Sequence, residues 1–552
     1  MTKRWNIIGG SNATDLKALL LANRGVGGSE ESAFFNPTLE HIPDPFLFDE
    51  MDKALERVQE AIGNEERIVI FGDYDVDGIT GTAILVRTLL KLGAQVSYRL
   101  PHRVHDGYGL KNHLIDEMAT KDVKLIITVD NGISAANEIA YAKDLGIDVI
   151  VTDHHSIPPV IPDTAAILHP KVEGESYPFK DLSGSGVAFV FARALLEASD
   201  VENAEQFWLE MIDLAALGTV ADCVPLTGAN RAIVKEGLRQ IGRTAFPGLR
   251  HLLDTAGWKR DRADTETIGF VIGPRLNAAG RMDTPLDALH LFLYDSERSR
   301  LVAEKLNRLN GERQVETENI ASRVAQALET DPPRGIVLAE GDYHVGIIGI
   351  VAARMVEKFG LPAIIMGRKG DELVGSCRSN GRVNMIEALR RFPHRFAHFG
   401  GHEAAAGFSM PADQYPALKE ELESHIASLE DREEGIAIDI DAALEAGHIG
   451  PETYGLVESL APFGVGNSKP IFALEQAVVM ESKPVGSGST HLKMMVKKDG
   501  KTFDAIAFRH GHRLDEVPAG SVIDLAFTLE KNEFNGSSKL GLNVIDLRSS
   551  ES

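Results

Sequence analysis

The chain reads as an α/β protein in several parts: a parallel sheet wrapped by helices, a long charged helix, a smaller second α/β domain, and a C-terminal barrel made of strands alone. Three observations predict this. Between residues 67 and 168, apolar runs of strand length alternate with helical stretches, the pattern of a parallel sheet covered on both faces. The polar stretch from Ser296 to Leu328 holds few helix breakers and stops before Pro332-Pro333. From Pro470 onward the pattern is all-β, with turn signals between short strands.

The elements follow in order. Pro37, Pro43 and Pro45 interrupt the first sixty residues, and a helix is predicted from Phe48 to Ile62. Arg67 to Phe71 predicts a buried strand, Ile79 to Leu92 a helix and Ala94 to Leu100 the next strand. Lys124 to Val129 is another strand, followed by a helix around Ser134 to Leu145. Asp148 to Thr152 and Ala165 to Leu168 extend the sheet, and Ser185 to Leu196 and Phe207 to Leu217 read as helical. The stretch from Ser296 carries Lys305, Arg308, Glu312, Arg313, Glu316 and Glu318, the composition of a solvated strut, with Gly311 as its weak point. Strands at Gly335 to Ala339 and Ala363 to Met366 enclose a helix from Val345 to Phe359. This second unit closes near Ser428, before the acidic run Glu430-Asp-Arg-Glu-Glu. Then come strands at Phe472 to Met480, Thr490 to Val496, Thr502 to Phe508, Val522 to Leu529 and Lys539 to Leu547. Lys498-Asp499-Gly500 and a loop holding Asn535-Gly536 supply their turns. A barrel of the OB type is favoured, with an SH3-like barrel or small sandwich as the alternative.

Composition bounds the function. The 552 residues are 43% apolar and 25% charged, which excludes disordered, fibrous and collagen-like proteins. A formal charge of −24 weighs against a generic nucleic-acid coat, yet permits a local basic groove. Cys223 and Cys377 cannot build a disulfide framework or a cysteine-rich zinc site, and fit a reduced cytosol. The start, Met1-Thr-Lys-Arg-Trp-Asn-Ile-Ile-Gly-Gly, lacks an apolar core of signal-peptide length. The most lipid-like stretch, Val345 to Ala353, has about half the residues that a membrane span needs. A soluble cytoplasmic protein without membrane contact is expected. No Gly-x-x-x-x-Gly-Lys-[Ser/Thr] loop is present, which argues against an ATP-driven motor.

The chemistry concentrates in Phe71-Gly-Asp73-Tyr-Asp75-Val-Asp77-Gly78, three carboxylates at alternate positions directly after a strand. In extended chain, alternate side chains share a face and at least two can converge on one cation. The start of a calcium loop is a competing reading, but Ile84 stands where its glutamate is needed. A solvated turn is the other. Two later strands also end in such groups: one at Asp130-Asn131-Gly132, another at Asp153-His154-His155. Ligands of open parallel sheets bind beyond the carboxyl ends of strands, so these groups are expected to share one crevice. Asp222, after the apolar segment Leu217-Gly-Thr-Val-Ala, is a fourth candidate. Carboxylates with imidazole and no thiolate suit Mn²⁺ or Mg²⁺ before Zn²⁺. Such a site can hold two ions about 3.5–4 Å apart and support in-line hydrolysis of a phosphodiester.

Together these motifs resemble the DHH phosphoesterase superfamily, whose triplet is Asp153-His154-His155 here. Three further motifs resemble its RecJ family of bacterial single-strand-specific DNA exonucleases. They are Gly273-Pro-Arg275-Leu-Asn277-Ala-Ala-Gly-Arg281-Met, Gly400-Gly-His402-Glu-Ala-Ala-Ala-Gly407-Phe and Ala461-Pro-Phe-Gly-Val-Gly-Asn467. The resemblance runs from about residue 65 to the C-terminus. It implies an N-terminal segment (1–60), a catalytic DHH domain (61–295), a connector helix (296–330), a DHHA1 domain (331–428), a linker (429–469) and an OB-type domain (470–552). It implies metal ligation by Asp75, Asp77, Asp130, His154 and Asp222, with Asp73 and His155 beside the metals or as direct ligands. It further implies 5′→3′ polarity and release of mononucleotides. Arg103, Arg281, Ser376 and Arg378 would hold a terminal 5′ phosphate and His402 a scissile-side phosphate, with Arg275 and Asn277 in the same DNA-binding set. Single-strand binding protein and a RecQ-type helicase are the implied partners, in recombinational and mismatch repair, and a monomer is the expectation.

Two stretches answer part of the charge question. From Met366 to Phe399, seven basic residues face three acidic ones, and from Lys483 to Arg513 seven face two. Phe503, Phe508 and Phe534 are candidates to stack on bases, or else core residues. The two α/β domains are expected to form a channel too narrow for duplex, with the barrel feeding it. Another DHH enzyme, acting on short oligoribonucleotides, cyclic dinucleotides or pyrophosphate, is the first alternative; a non-catalytic binding module is the second.

Overall fold

A computed structural model describes residues 4–8, 15–103, 105–259, 262–429, 437–534 and 537–550, with the side chains of 532–538 left undescribed. The acidic run at 430–434, the Asn535-Gly536 turn and the Phe534 side chain fall outside the described residues. The chain forms two compact units: Ile42–Val224 with Ile233–Arg432, and Met1–His41 with Pro225–Ala232 and Glu433–Ser552.

The α/β unit begins with five parallel strands, Arg67–Gly72, Gln95–Arg99, Val123–Val129, Asp148–Thr152 and Ala166–Leu168. Numbered along the chain they lie in the order 2-1-3-4-5. Their apolar side chains pack on both faces: Ile68, Ile70, Phe71, Ile126 and Ile127 are buried, as a parallel sheet between helix layers requires. Strand order reverses between Arg67–Gly72 and Val123–Val129, and ligands bind at such a switch point.

The connector is one helix, Ser296–Thr330, and Gly311 does not break it. Asp295 caps it by accepting from the Arg298 amide. It packs against the helices Pro247–Thr255, Gly273–Met282 and Leu286–Leu293 on one lobe and Ile348–Phe359 on the other. The second lobe carries a mixed five-stranded sheet, with Ala363–Lys369, Glu372–Arg378 and Ala405–Pro411 at its centre. No helix among the described residues is long and apolar enough to cross a membrane.

The other unit holds a closed barrel of five long strands, Phe472–Val485, His491–Lys498, Lys501–Ala507, Val522–Phe534 and Ser537–Ser549. The first pairs with both the second and the fourth, and the third runs parallel to the fifth. That closure is the OB arrangement rather than a sandwich. Asp499 and Gly500, both at positive φ, make the tight hairpin turn that the sequence predicted.

The structure corrects several expectations. Residues 1–60 are not one segment: Leu20, Leu21 and Phe34 enter the barrel core, and Arg4–Ile7 pairs with Ala437–Ile440. Residues 429–469 are no mere linker, since Ile440, Val457 and Leu460 are buried. The stretch Phe207–Leu217 is two helices, Ala204–Leu209 and Ile212–Ala221. The Ala461–Asn467 motif proves to be a folded loop. Asn467 is fully buried and donates to the carbonyls of Leu460 and Pro462, while the buried Arg231 guanidinium donates to those of Phe34, Leu460, Ala461 and Pro462.

Candidate metal centre and phosphate pocket

The acidic cluster forms where strand turns into helix, not on an extended strand. The strand ends at Gly72; Asp75 is the N-cap of the helix Val76–Lys91 and Asp77 lies in its first turn. Asp75 Oδ1 accepts from the amides of Asp77 and Gly78, so its second oxygen is left for another partner. Asp77 is held by a second helix start, accepting from the Gly184 and Ser185 amides at 2.6 and 2.9 Å. Helix N-termini favour anions, which offsets part of the cost of burying these charges.

Asp130 follows the strand Val123–Val129 with φ of 62°, a left-handed conformation that costs energy in a non-glycine residue and is stored at functional sites. His154 Nε2 lies 3.1 Å from Asp130 Oδ1, 3.4 Å from Asp222 Oδ2 and 3.9 Å from Asp77 Oδ2. Among the described residues, three overlapping groups have ligand atoms within 4.8 Å of one another: Asp73, Asp75 and Asp130; Asp77, His154 and Asp222; Asp130, His154 and His155. Sharing of Asp130 and His154 suits two neighbouring cations.

The electrostatics ask for those cations. Burial, then the charges of Asp77, Asp75, Asp73 and Asp222, drive the Asp130 carboxyl well above its ordinary range. Burial and the Asp75 charge do the same to Asp73, and burial with Asp77 and Asp75 lifts Asp222 to about 8. Asp73 Oδ1 and His154 Nδ1 are buried without a hydrogen-bond partner. Oxygen and imidazole donors crowded with too little compensating charge fit hard or borderline divalent ions.

Asp153, the first residue of the triplet, plays another part. It is 1% exposed, and its carboxylate accepts from the amides of Ile133, His154 and His155 and from His155 Nδ1. Burial works against its charge, but the His155 hydrogen bond and charge prevail and hold it at about 2. Burial likewise opposes protonation of His155, and Asp153 overcomes it, raising that imidazole to about 9. Asp153 therefore shapes the loop that presents the two histidines.

Packing around the acids is tight. A Cβ on Gly218 would lie 2.1 Å from Ser185 Oγ and 2.3 Å from Asp77 Oδ1. Gly218→Ala is expected to destabilise the chain by about 1–3 kcal/mol through overpacking and to displace Asp77, checked by chemical denaturation and by calorimetric Mn²⁺ affinity.

A basic pocket stands beside this cluster, built from both lobes of the unit. The Arg103 guanidinium stacks on Tyr74 at 4.0 Å, with Nε buried and unpartnered. Arg281 donates to the Gly346 carbonyl at 3.1 Å; burial, then the charges of Arg103, Arg313 and Arg378, lower it to about 9. Arg378 donates to Ser376 Oγ at 3.1 Å. The start of the helix Ile348–Phe359 abuts both: a Cβ on Gly349 would lie 2.9 Å from Arg378 Nη2 and 3.0 Å from Ser376 Oγ. Arginines that repel one another beside an uncapped helix N-terminus make an anion site.

Not every expected residue joins it. Arg275 donates to Asn307 and to the Val271 carbonyl. Asn277 leaves its buried Oδ1 unpartnered, and His402 is exposed in the hairpin between His398–Gly401 and Ala405–Pro411. Sequence reasoning also missed residues. Tyr108 donates to the Asp130 carbonyl at 3.1 Å and its hydroxyl lies 3.2 Å from His155 Nδ1. Lys171 donates to the His154 carbonyl, and the buried His169 to that of His155. Tyr108 gave no pattern signal; His169 and Lys171 carried the same one as the other site residues, a position directly after a short strand. In the barrel, Phe503 packs on the core, whereas Phe508 is 47% exposed with its ring 5.2 Å from His491.

A parallel sheet of this order, with clustered aspartates and a histidine at its switch point, is the arrangement expected of a DHH-type phosphoesterase. Residues 67–219 match the DHH family, N-terminal domain; 333–428 match the DHHA1 domain; 440–546 match the RecJ OB domain. The single-stranded-DNA-specific exonuclease RecJ of Bacillus subtilis (strain 168) is 37% identical over 546 residues, 98% of this chain and 68% of that relative. A crystal structure of RecJ in complex with Mn²⁺ from Thermus thermophilus matches with a TM-score of 0.85 at 30% identity, over 100% of this chain and 80% of that one. The Mg²⁺ complex from the same source matches with a TM-score of 0.79 at 30% identity, covering 100% and 79%. The chain belongs to the RecJ family.

Proposed function

We propose that the chain is a metal-dependent exonuclease that degrades single-stranded DNA from its 5′ end to mononucleotides. The observation that carries this is the pairing of two chemistries in one unit: an acidic cluster that calls for cations and, beside it, an arginine pocket that calls for an anion. Family membership supports the substrate, and the metal-bound relatives support Mn²⁺ or Mg²⁺ as the ions.

Asp73, Asp75, Asp77, Asp130, His154 and Asp222 would hold two divalent ions. Such ions, when bound, polarise the phosphate and lower the pKa of the attacking water. The chain's own groups do the rest. Asp153 fixes the direction of His155 and favours its protonated form by accepting its Nδ1 proton at 2.8 Å. Arg103, Arg281, Ser376 and Arg378 would grip the terminal phosphate and so set where the strand stops. Phe508 and the basic strands of the barrel would take up bases and backbone of the single strand. Roles in recombination and mismatch repair, with single-strand binding protein and a RecQ-type helicase as partners, rest on the family alone. Another DHH enzyme acting on dinucleotides would lack use for the barrel.

The test is digestion of single-stranded DNA labelled at either end, with and without Mn²⁺ and with the 5′ phosphate present or removed. Mononucleotides released from the 5′ end, only with metal and faster with the phosphate, are expected. Equal rates on blunt duplex, or preferred turnover of dinucleotides, would refute the reading.

A further inference from the structure

The structure assigns a further substrate-binding residue: we propose that Lys171 binds a DNA phosphate on the His154–Asp222 side of the metal centre. The inference rests on the exonuclease reading above. Lys171 follows the short strand Ala166–Leu168, next in the sheet to the strand that delivers Asp153-His154-His155. Its Nζ donates to the His154 carbonyl at 2.9 Å, which pins a flexible side chain at the edge of the acidic cluster.

Three further observations separate this lysine from ordinary surface lysines. First, no carboxylate among the described residues lies within ion-pair distance of it, so two of its three N–H donors stay available. Second, the residue is exposed, and its ammonium lies close enough to His154 and to Asp222 to act on both electrostatically. Third, the loop that carries it is rigidly built. His169 is fully buried, accepts the Lys171 amide on Nδ1 at 3.1 Å and donates from Nε2 to the His155 carbonyl at 2.9 Å. His169 is thus a positioning residue, and Lys171 the group positioned.

The placement complements the arginine pocket. Arg103 acts on Asp73 and Asp75 and not on Asp222, whereas Lys171 acts on Asp222 and His154, with His155 between the two sides and felt by both. A strand with its end in the arginine pocket and its scissile bond at the acids carries its next negative charges past the cluster. A solvent-facing ammonium on that side meets them.

The experiment compares wild type with Lys171→Met and Lys171→Arg. DNA affinity is read by anisotropy on a 5′-phosphorylated single strand with phosphorothioate linkages, over a salt series with saturating Mn²⁺. Mn²⁺ affinity is read by calorimetry on metal-free protein, and KM and kcat on the natural linkage. Lys171→Met is expected to weaken DNA binding about five- to tenfold and raise KM alike, with the salt slope shallower by about 0.7. Its Mn²⁺ affinity should stay equal or rise, because a cation next to the site has been removed. Lys171→Arg should restore most of the DNA affinity. Unchanged DNA affinity and slope in Lys171→Met would overturn the inference. So would a tenfold loss of Mn²⁺ affinity that accounts for the DNA defect, the mark of a mere prop for the His154 loop. If wild type itself neither binds nor degrades the strand, the exonuclease reading fails and this inference with it.

Discussion

Asp130→Ala will abolish nuclease activity, by about 10³-fold or more, while leaving affinity for single-stranded DNA largely intact. Asp130 enters two of the three ligand groups and stands 3.1 Å from His154, so its loss removes a donor that neighbouring cations would share. Metal-assisted charge stabilisation is worth several kcal/mol, and each 1.4 kcal/mol is a factor of ten in rate. The barrel and the arginine pocket contain no part of Asp130 and should keep their hold on the strand. Thermal melting gives a check free of turnover. Mn²⁺ should raise the melting temperature of wild type, by binding the folded state and relieving repulsion among buried carboxylates. In Asp130→Ala the apo protein should lose less stability to that repulsion, and the Mn²⁺ shift should shrink. Retained cleavage would sink the metal assignment.

Arg378→Ala will cost about 30-fold or more in kcat/KM on 5′-phosphorylated single strands and little on strands with a 5′ hydroxyl. Removing one partner of a buried, hydrogen-bonded charge pair costs about 2–5 kcal/mol. Arg378 is held in place by Ser376 Oγ and its own neighbouring carbonyl, so the pocket exists before the substrate arrives. Arg378→Lys should recover only part of the loss, because an ammonium cannot match a guanidinium's paired donors. An equal loss on both substrates would assign Arg378 to general strand binding instead of to the end.

Much of this site was legible in the sequence because local signals carried it. Apolar runs marked the strands, and the polar groups directly after Gly72, Val129 and Thr152 sit at their carboxyl ends as the switch-point rule requires. Of the three alternate carboxylates, Asp73 and Asp75 share one ligand group and Asp77 enters another, and the strand-to-helix turn rather than an extended strand brings the first two together. Tyr108 could not be found, because a tyrosine in a loop has no period and its partner Asp130 is 22 residues away. Ile212–Ala221 was joined to its neighbour because Ile212 to Thr219 are all buried and so show no amphipathic stripe. The grouping of Pro225–Ala232 with the barrel rests on Arg231 and Leu226 meeting residues more than 200 positions away, and composition is blind to such pairings.

The mutual repulsion of Arg103, Arg281 and Arg378 gives the pocket a means of counting charge. A linkage inside a strand bears one negative charge, whereas a terminal phosphate monoester bears about 1.5–2 at neutral pH. Three crowded guanidiniums gain more from the second charge than a single cation would, since it quiets each of them against the other two. If the pocket holds the strand's end as proposed, a free end would be told from an interior by electrostatic valence. Acidification below about pH 6 would make every end look like an interior.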